Sequence, residues 1–126
     1  MRLLIDTHAL FWWLTDNRRR LSPTACRAMD DAQNNLFASA VVGYELAYKQ
    51  AAGRISPLPD SLPRQLQRAG IAVLPLSLDH ALAAAALPGP HRDPWDRIMT
   101  AQAMAESLTV ITVDPQFARY GLPVLW

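Results

Sequence analysis

The chain has 126 residues, 51% of them hydrophobic and 18% charged, and a formal net charge of +1. That is the size of one domain with enough apolar content for a core, so a single domain over 1–126 is expected and a second would not fit. No run approaches the roughly 18 apolar residues of a membrane span, nothing near Met1 reads as an export signal, and the lone Cys26 excludes an internal disulfide and suits a small core position; a cytoplasmic protein with no membrane partner is the expectation.

Short apolar runs alternate with longer segments of helical period, the pattern of an α/β fold with a parallel sheet covered by helices. The chain opens with a strand near 2–5 that stops on Asp6, then a helix near 7–15. Arg18, Arg19 and Arg20 form a basic loop, readable as a phosphate contact or as a solvated run. Ser22-Pro23 caps a helix near 22–33, a strand follows near 36–39, and helices are expected near 40–52 and 60–69, ended by Gly53 and Gly70. A strand near 71–74, a helix near 78–86 and a loop through Leu87-Pro88-Gly89-Pro90-His91 lead to a helix near 94–106 capped by Asp93-Pro94. The last strands fall near 109–112 and 123–125, around a helix near 114–119 that starts at Asp114-Pro115 and ends at Gly121.

Two of these strands end in an acid, Asp6 and Asp114, and strand ends in parallel sheets are where ligands collect. Glu45 and Asp96 lie on predicted helices between them. Four carboxylates without Cys or His in a liganding pattern suit a hard, oxygen-seeking cation such as Mg²⁺ or Mn²⁺, and such a cation implies phosphate chemistry. Each acid also has a plainer reading. Asp6, Asp93 and Asp114 precede helices and can cap them, Asp96 sits in a first turn where the helix dipole favours negative charge, and Glu45 precedes Lys49 by four residues. Glu45 is the hardest to explain in that way, because its neighbours from Ser39 to Tyr48 are mostly apolar and a buried, unpaired carboxylate is costly.

His8, His80 and His91 have no zinc spacing, and neither a phosphate-binding glycine loop nor a serine-nucleophile elbow occurs. Eleven of the twelve basic residues are arginine and only Lys49 is lysine. With the candidate acids set aside the remaining surface is basic, which suits a polyanion, although an arginine-rich coding bias explains it equally. Phe11, Trp12, Trp13, Tyr44 and Tyr48 have helical spacing and apolar neighbours, which favours core or subunit contact over stacking on bases.

Leu4-Ile5-Asp6-Thr7-His8, the segment from Ser39 to Lys49 with Glu45, His91-Arg92-Asp93-Pro94-Trp95-Asp96-Arg97, Thr112-Val113-Asp114-Pro115-Gln116-Phe117 and the ending Tyr120-Gly121-Leu122-Pro123-Val124 together resemble the PIN-domain family, and within it the VapC-type toxins of type II toxin-antitoxin systems. The order of these motifs over nearly the whole chain is more specific than any one of them. The resemblance implies a three-layer fold with a five-stranded parallel sheet flanked by helices, and a Mg²⁺- or Mn²⁺-dependent endoribonuclease in which water attacks phosphorus to leave a 5′-phosphate and a 3′-hydroxyl. Asp6, Glu45, Asp96 and Asp114 match the family's acidic quartet, with Asp6 and Asp96 as direct metal ligands and Glu45 and Asp114 as second-site or water-mediated ones. Asp93 matches an accessory acid, and Thr7 and Thr112 match hydroxyl positions near the metal. The residues Arg97, Arg92 and Lys49 are candidates for RNA contact. Implied partners are a cognate VapB-type antitoxin, the RNA substrate and a second copy of the chain, in a homodimer within a larger toxin-antitoxin complex. The sequence departs from its relatives at Gly43-Tyr44 and Val113, positions that touch packing or substrate fit. The alternative is a catalytically inactive PIN module that binds RNA or a protein.

Overall fold

In the computed structural model, which describes residues 1–89 and 93–126, five parallel strands form one sheet. They are β1 (Arg2–Ile5), β2 (Asn35–Ser39), β3 (Ile71–Leu74), β4 (Thr109–Ile111) and β5 (Val124–Leu125), in the spatial order β3-β2-β1-β4-β5. The helices are α1 (Thr7–Leu14), α2 (Pro23–Asp30), α3 (Ala40–Ala51), α4 (Leu62–Arg68), α5 (Leu78–Ala86), α6 (Pro94–Ala105) and α7 (Gln116–Arg119). The chain winds from β1 outward to β3, then returns and places β4 on the other side of β1, where Leu3, Leu4 and Ile5 pair with Thr109, Val110 and Ile111. That reversal between β1 and β4 is a topological switch point, and its C-terminal side opens a crevice. Because parallel crossovers are right-handed, the two winding directions put helices on opposite faces of the sheet.

The central strands carry apolar residues at consecutive positions because both faces are covered. Leu3, Leu4, Ile5, Val110 and Ile111 are inaccessible to solvent and share the core with Leu10, Leu46, Met99, Leu108 and Phe117. Phe11, Trp12, Trp13 and Cys26 pack partly buried against it, as expected for them. Tyr44 and Tyr48 do not: both are more than half exposed, because α3 turns its Val41, Val42 and Leu46 side to the sheet and leaves these tyrosines outside. Among the described residues no helix is long and apolar enough to cross a membrane.

Expected caps account for most boundaries. Ser22 accepts the Ala25 N–H at the start of α2, and Asp93 accepts the Trp95 N–H at the start of α6. Gly53 and Gly70, both at φ 68°, end α3 and α4 in the left-handed region that glycine adopts without a Cβ penalty. Two elements differ from expectation. The second helix ends at Asp30 rather than near 33, because the Asp31 carboxylate accepts the Gln33 N–H and turns the chain. The arginine run is a short 3-10 turn (Arg18–Arg20) rather than an open loop: Arg18 forms a two-bond pair with Asp30 and lies over the Trp13 ring, and Arg20 lies over Trp12.

Candidate functional site

The crevice at the switch point holds a pocket of about 110 Å³ walled by Asp6, Thr7, His8, Glu45, Lys49, Asp93, Asp96, Val113, Asp114 and Phe117. The four acids of the expected quartet thus arrive from four places: the end of β1, the middle of α3, the first turn of α6 and the segment after β4. Residues 18 to 108 positions apart in the sequence share one cavity because β1 and β4 are neighbours and α3 and α6 pack against each other above them. A buried bridge fixes that helix pair. The Ser39 hydroxyl donates to Gln102 Oε1 at 2.6 Å, and Gln102 Nε2 donates to the Pro75 carbonyl at 3.3 Å. Gln102 is inaccessible to solvent, and no sequence signal distinguished it from an ordinary polar residue of a helix.

Asp6 is the most deeply set acid, 5% exposed. Its Oδ1 accepts the Ala9 N–H at 2.8 Å, which caps α1, and its Oδ2 accepts the Thr112 hydroxyl in a short bond. Thr112 is itself fixed by accepting the Asp114 N–H at 2.9 Å. Burial pushes the Asp6 carboxyl above the usual aspartate range, against the opposing pull of Thr112, the Ala9 N–H and His8. Each Asp6 oxygen has one protein donor, so further acceptor capacity remains on both.

Glu45 is paired, contrary to the expectation of an unpaired acid on a buried helix. Its Oε1 accepts the Thr7 hydroxyl at 3.0 Å and its Oε2 meets Lys49 Nζ at 2.8 Å. The pair is not the exposed one of the plainer reading either: the Glu45 side chain is 13% exposed and that of Lys49 22%, so it works in a lower dielectric than a surface pair does. Asp114 accepts the Gln116 N–H at 2.9 Å and so caps the last helix from one residue further out than expected, with Pro115 between them.

Asp96 carries the strongest electrostatic mark in the site. Desolvation by burial, then the negative charges of Asp93, Asp114, Glu45 and Asp6, push its carboxyl up to about 7. The acids therefore feel one another, as members of one cluster must. They line a shared wall without converging on a point: among the described residues no three Asp, Glu, His or Cys side chains stand together as a ready set of metal ligands. Hydrogen bonds hold Asp6 to Thr112 and Ala9, and Glu45 to Thr7 and Lys49, which sets their present directions. As a donor set, all-oxygen and mutually repelling, they fit a hard divalent cation; the Thr7 and Thr112 hydroxyls are engaged with Glu45 and Asp6.

The expected substrate contacts fare differently. Lys49 lines the pocket. Arg97 donates to the Ala84 and Leu87 carbonyls at 2.9 and 2.6 Å, closing the end of α5, and it does not line the acid pocket. Arg92 and His91 lie outside the described residues. His80 is buried away from the site: its Nδ1 accepts the Ser77 N–H, which leaves Nε2 to donate to Glu106 at 3.0 Å. Beside the acid pocket, and sharing Glu45, Lys49 and Asp93 with it, lies a wider one of about 490 Å³ whose other walls are Tyr44, Tyr48, Arg54 and Trp95.

The sequence matches the model of the PIN domain over residues 3–122. No curated protein matches it. Among solved structures, it is similar to a chain in VapBC2 from Rickettsia felis bound to a DNA fragment from the promoter, with a TM-score of 0.58 and 16% identity over 98% of this chain and 97% of that one. A chain of FitAB bound to the IR36 DNA fragment gives a TM-score of 0.59 at 18% identity, covering 97% and 92%. A chain of a toxin-antitoxin complex from Klebsiella pneumoniae gives 0.56 at 18% identity, covering 90% and 88%.

Proposed function

Because this chain belongs to the PIN-domain family, whose members are generally nucleases, we propose that it is a divalent-metal-dependent endoribonuclease and the toxin of a type II toxin-antitoxin pair. The observation that carries this reading is the gathering of Asp6, Glu45, Asp96 and Asp114 around one pocket, with the Asp96 carboxyl raised to about 7 by burial and by the other acids. Structural acids have no reason to collect where they repel; acids that share a cation do.

Asp6 and Asp96 would hold Mg²⁺ or Mn²⁺, with Glu45 and Asp114 completing the set directly or through water. When bound, such an ion neutralises charge growing on the phosphate and eases the deprotonation of water. The chain's own groups do the rest. Thr112 and the Ala9 N–H hold the Asp6 carboxylate in one orientation, and Thr7 does the same for Glu45. Lys49, already at the pocket wall, offers a positive charge to the RNA backbone. Water attacks phosphorus in line, the 3′-oxygen leaves with a proton, and the products carry a 5′-phosphate and a 3′-hydroxyl. The solved toxin-antitoxin complexes of similar fold support a cognate VapB-type antitoxin as partner; its role as inhibitor and a homodimer as the working unit are part of the proposal.

The test is cleavage of labelled structured RNA by protein freed of antitoxin, with Mg²⁺ or Mn²⁺, with chelator, and with Asp6→Asn. Metal-dependent cutting lost in the variant is expected, together with growth arrest on expression that the same substitution relieves. Cutting that persists in chelator would remove the metal role. The second reading, an inactive PIN module, draws on the lack of three converging ligands among the described residues; RNA binding with no cleavage by either metal would favour it.

A further inference from the structure

The wide pocket beside the acids has a composition that the cleavage chemistry alone does not require. Tyr44 and Tyr48, one turn apart on α3, lie nearly parallel, with ring centroids 6.1 Å apart and an interplanar angle of 22°, and Trp95 stands 5.0 Å from Tyr44 at 45°. The two tyrosines are 54% and 58% exposed, so more than half of each side chain is open to solvent and neither belongs to the core. The Trp95 backbone is pinned by the Asp93 cap, which fixes where the indole begins. Arg54 stands at the rim, and among the described residues its side chain has no ion-pair partner. At about 490 Å³ the pocket lies within the range of roughly 300–1,000 Å³ typical of small-molecule sites. It shares Glu45, Lys49 and Asp93 with the acid pocket, so a ligand in one is in reach of the other.

We propose that Tyr44, Tyr48 and Trp95 form a stacking shelf for one unpaired nucleobase next to the cleaved phosphodiester, with Arg54 holding the phosphate beside that base. Aromatic faces with a cation at the edge accept any base by stacking, whereas a base already paired in a duplex cannot leave its partner without loss. The shelf therefore selects single-stranded RNA, or a loop, at the cut site. This rests on the nuclease reading for its location, yet the stacking itself is measured without cleavage.

The test uses wild-type protein in chelator and a short single-stranded RNA bearing 2-aminopurine, whose fluorescence falls on stacking. Wild type should quench it, and the double variant Tyr44→Ala, Tyr48→Ala should bind roughly 5- to 100-fold more weakly, the range for one lost stacking contact, while its circular dichroism spectrum stays that of wild type because neither side chain belongs to the core. Tyr48→Phe should retain binding. An abasic site at the same RNA position should weaken wild type and leave the double variant indifferent. Equal affinity of wild type for intact and abasic RNA would overturn the shelf, as would equal kcat/KM of wild type and double variant on cleavable RNA. A double variant that keeps its RNA affinity but loses binding of an arginine-containing antitoxin peptide would overturn it too, and assign the aromatic pocket to the protein partner. Quenching without cleavage in any metal would leave the shelf standing and remove the nuclease reading instead.

Discussion

Replacing Asp96 by Asn should make the metal-free protein more stable at pH 8 and leave it little changed near pH 4. The Asp96 carboxyl titrates at about 7 instead of 3.8, so between those values the folded state holds a proton that the unfolded chain has released. Stability falls as pH rises through that window, and the whole penalty is present above pH 7. Each pKa unit is worth about 1.4 kcal/mol, which caps the penalty at about 4 kcal/mol. Solvent reaches part of the side chain, and screening reduces the usable figure to about 2 kcal/mol. An opposing contribution comes from the helix dipole, since Asp96 lies in the first turn of α6, and it is worth about 0.3–1 kcal/mol. Repulsion and desolvation win. A gain of about 1–2 kcal/mol should raise the melting temperature by roughly 3–10 °C in a chain of this length, read by circular dichroism in chelator at pH 4 and pH 8. A variant no more stable than wild type at pH 8, or one with the same gain at both pH values, would refute the shared electrostatics of the acids.

Titrating Mg²⁺ or Mn²⁺ into wild-type protein should raise its melting temperature by mass action, about 2.7 kcal/mol when the ion is a hundredfold above its dissociation constant; chelator should reverse the rise and Asp6→Asn should abolish it. Thr112→Val removes the hydroxyl that holds Asp6 and should weaken metal binding roughly 10- to 100-fold by calorimetry while the fold survives; unchanged affinity would show that Asp6 needs no such support. Gln102→Leu leaves the Ser39 hydroxyl and the Pro75 carbonyl without their partner, for a loss of roughly 1–3 kcal/mol in urea unfolding. Substituting Glu45, Lys49 or both should give a coupling energy of about 1 kcal/mol, near the upper end for ion pairs, since both side chains are mostly buried.

Much of the fold was legible because its cues are local and agree. Strands without polar alternation, Ser22 and Asp93 before prolines, and glycines at helix ends each follow from one or a few neighbouring residues, and all five strands stand where the apolar runs put them. What sequence could not provide was orientation on a helix that buries only one side. Tyr44 and Tyr48 fall on the outer side of α3 together with a pocket that needs Arg54 and Trp95 from elsewhere. Gln102 is the same problem in reverse, a polar side chain pulled into the interior by partners at Ser39 and Pro75. Arg97 follows Asp96 in the sequence, yet on a helix the next residue points about 100° away, and its guanidinium donates to the Ala84 and Leu87 carbonyls at the end of α5.

The two readings of each acid, cap or site member, were never exclusive. Asp6 caps α1 through one oxygen and meets Thr112 with the other, Asp93 caps α6 while lining the pocket, and Asp114 accepts the Gln116 N–H from the same wall. The C-terminal edge of a parallel sheet is also where following helices begin, so carboxylates placed there sit in the positive field of helix N-termini. That field and the free N–H groups offset part of the repulsion that gathering four acids brings, which lets the chain fold with the cluster in place. The compensation is incomplete at Asp96, whose carboxyl remains at about 7. A residue that is both a good cap and an uncomfortable neighbour is therefore better evidence of a site than either property alone: Asp6 caps α1 while burial raises its carboxyl, and Asp96, in the first turn of α6 without being its cap, shows the second property most strongly.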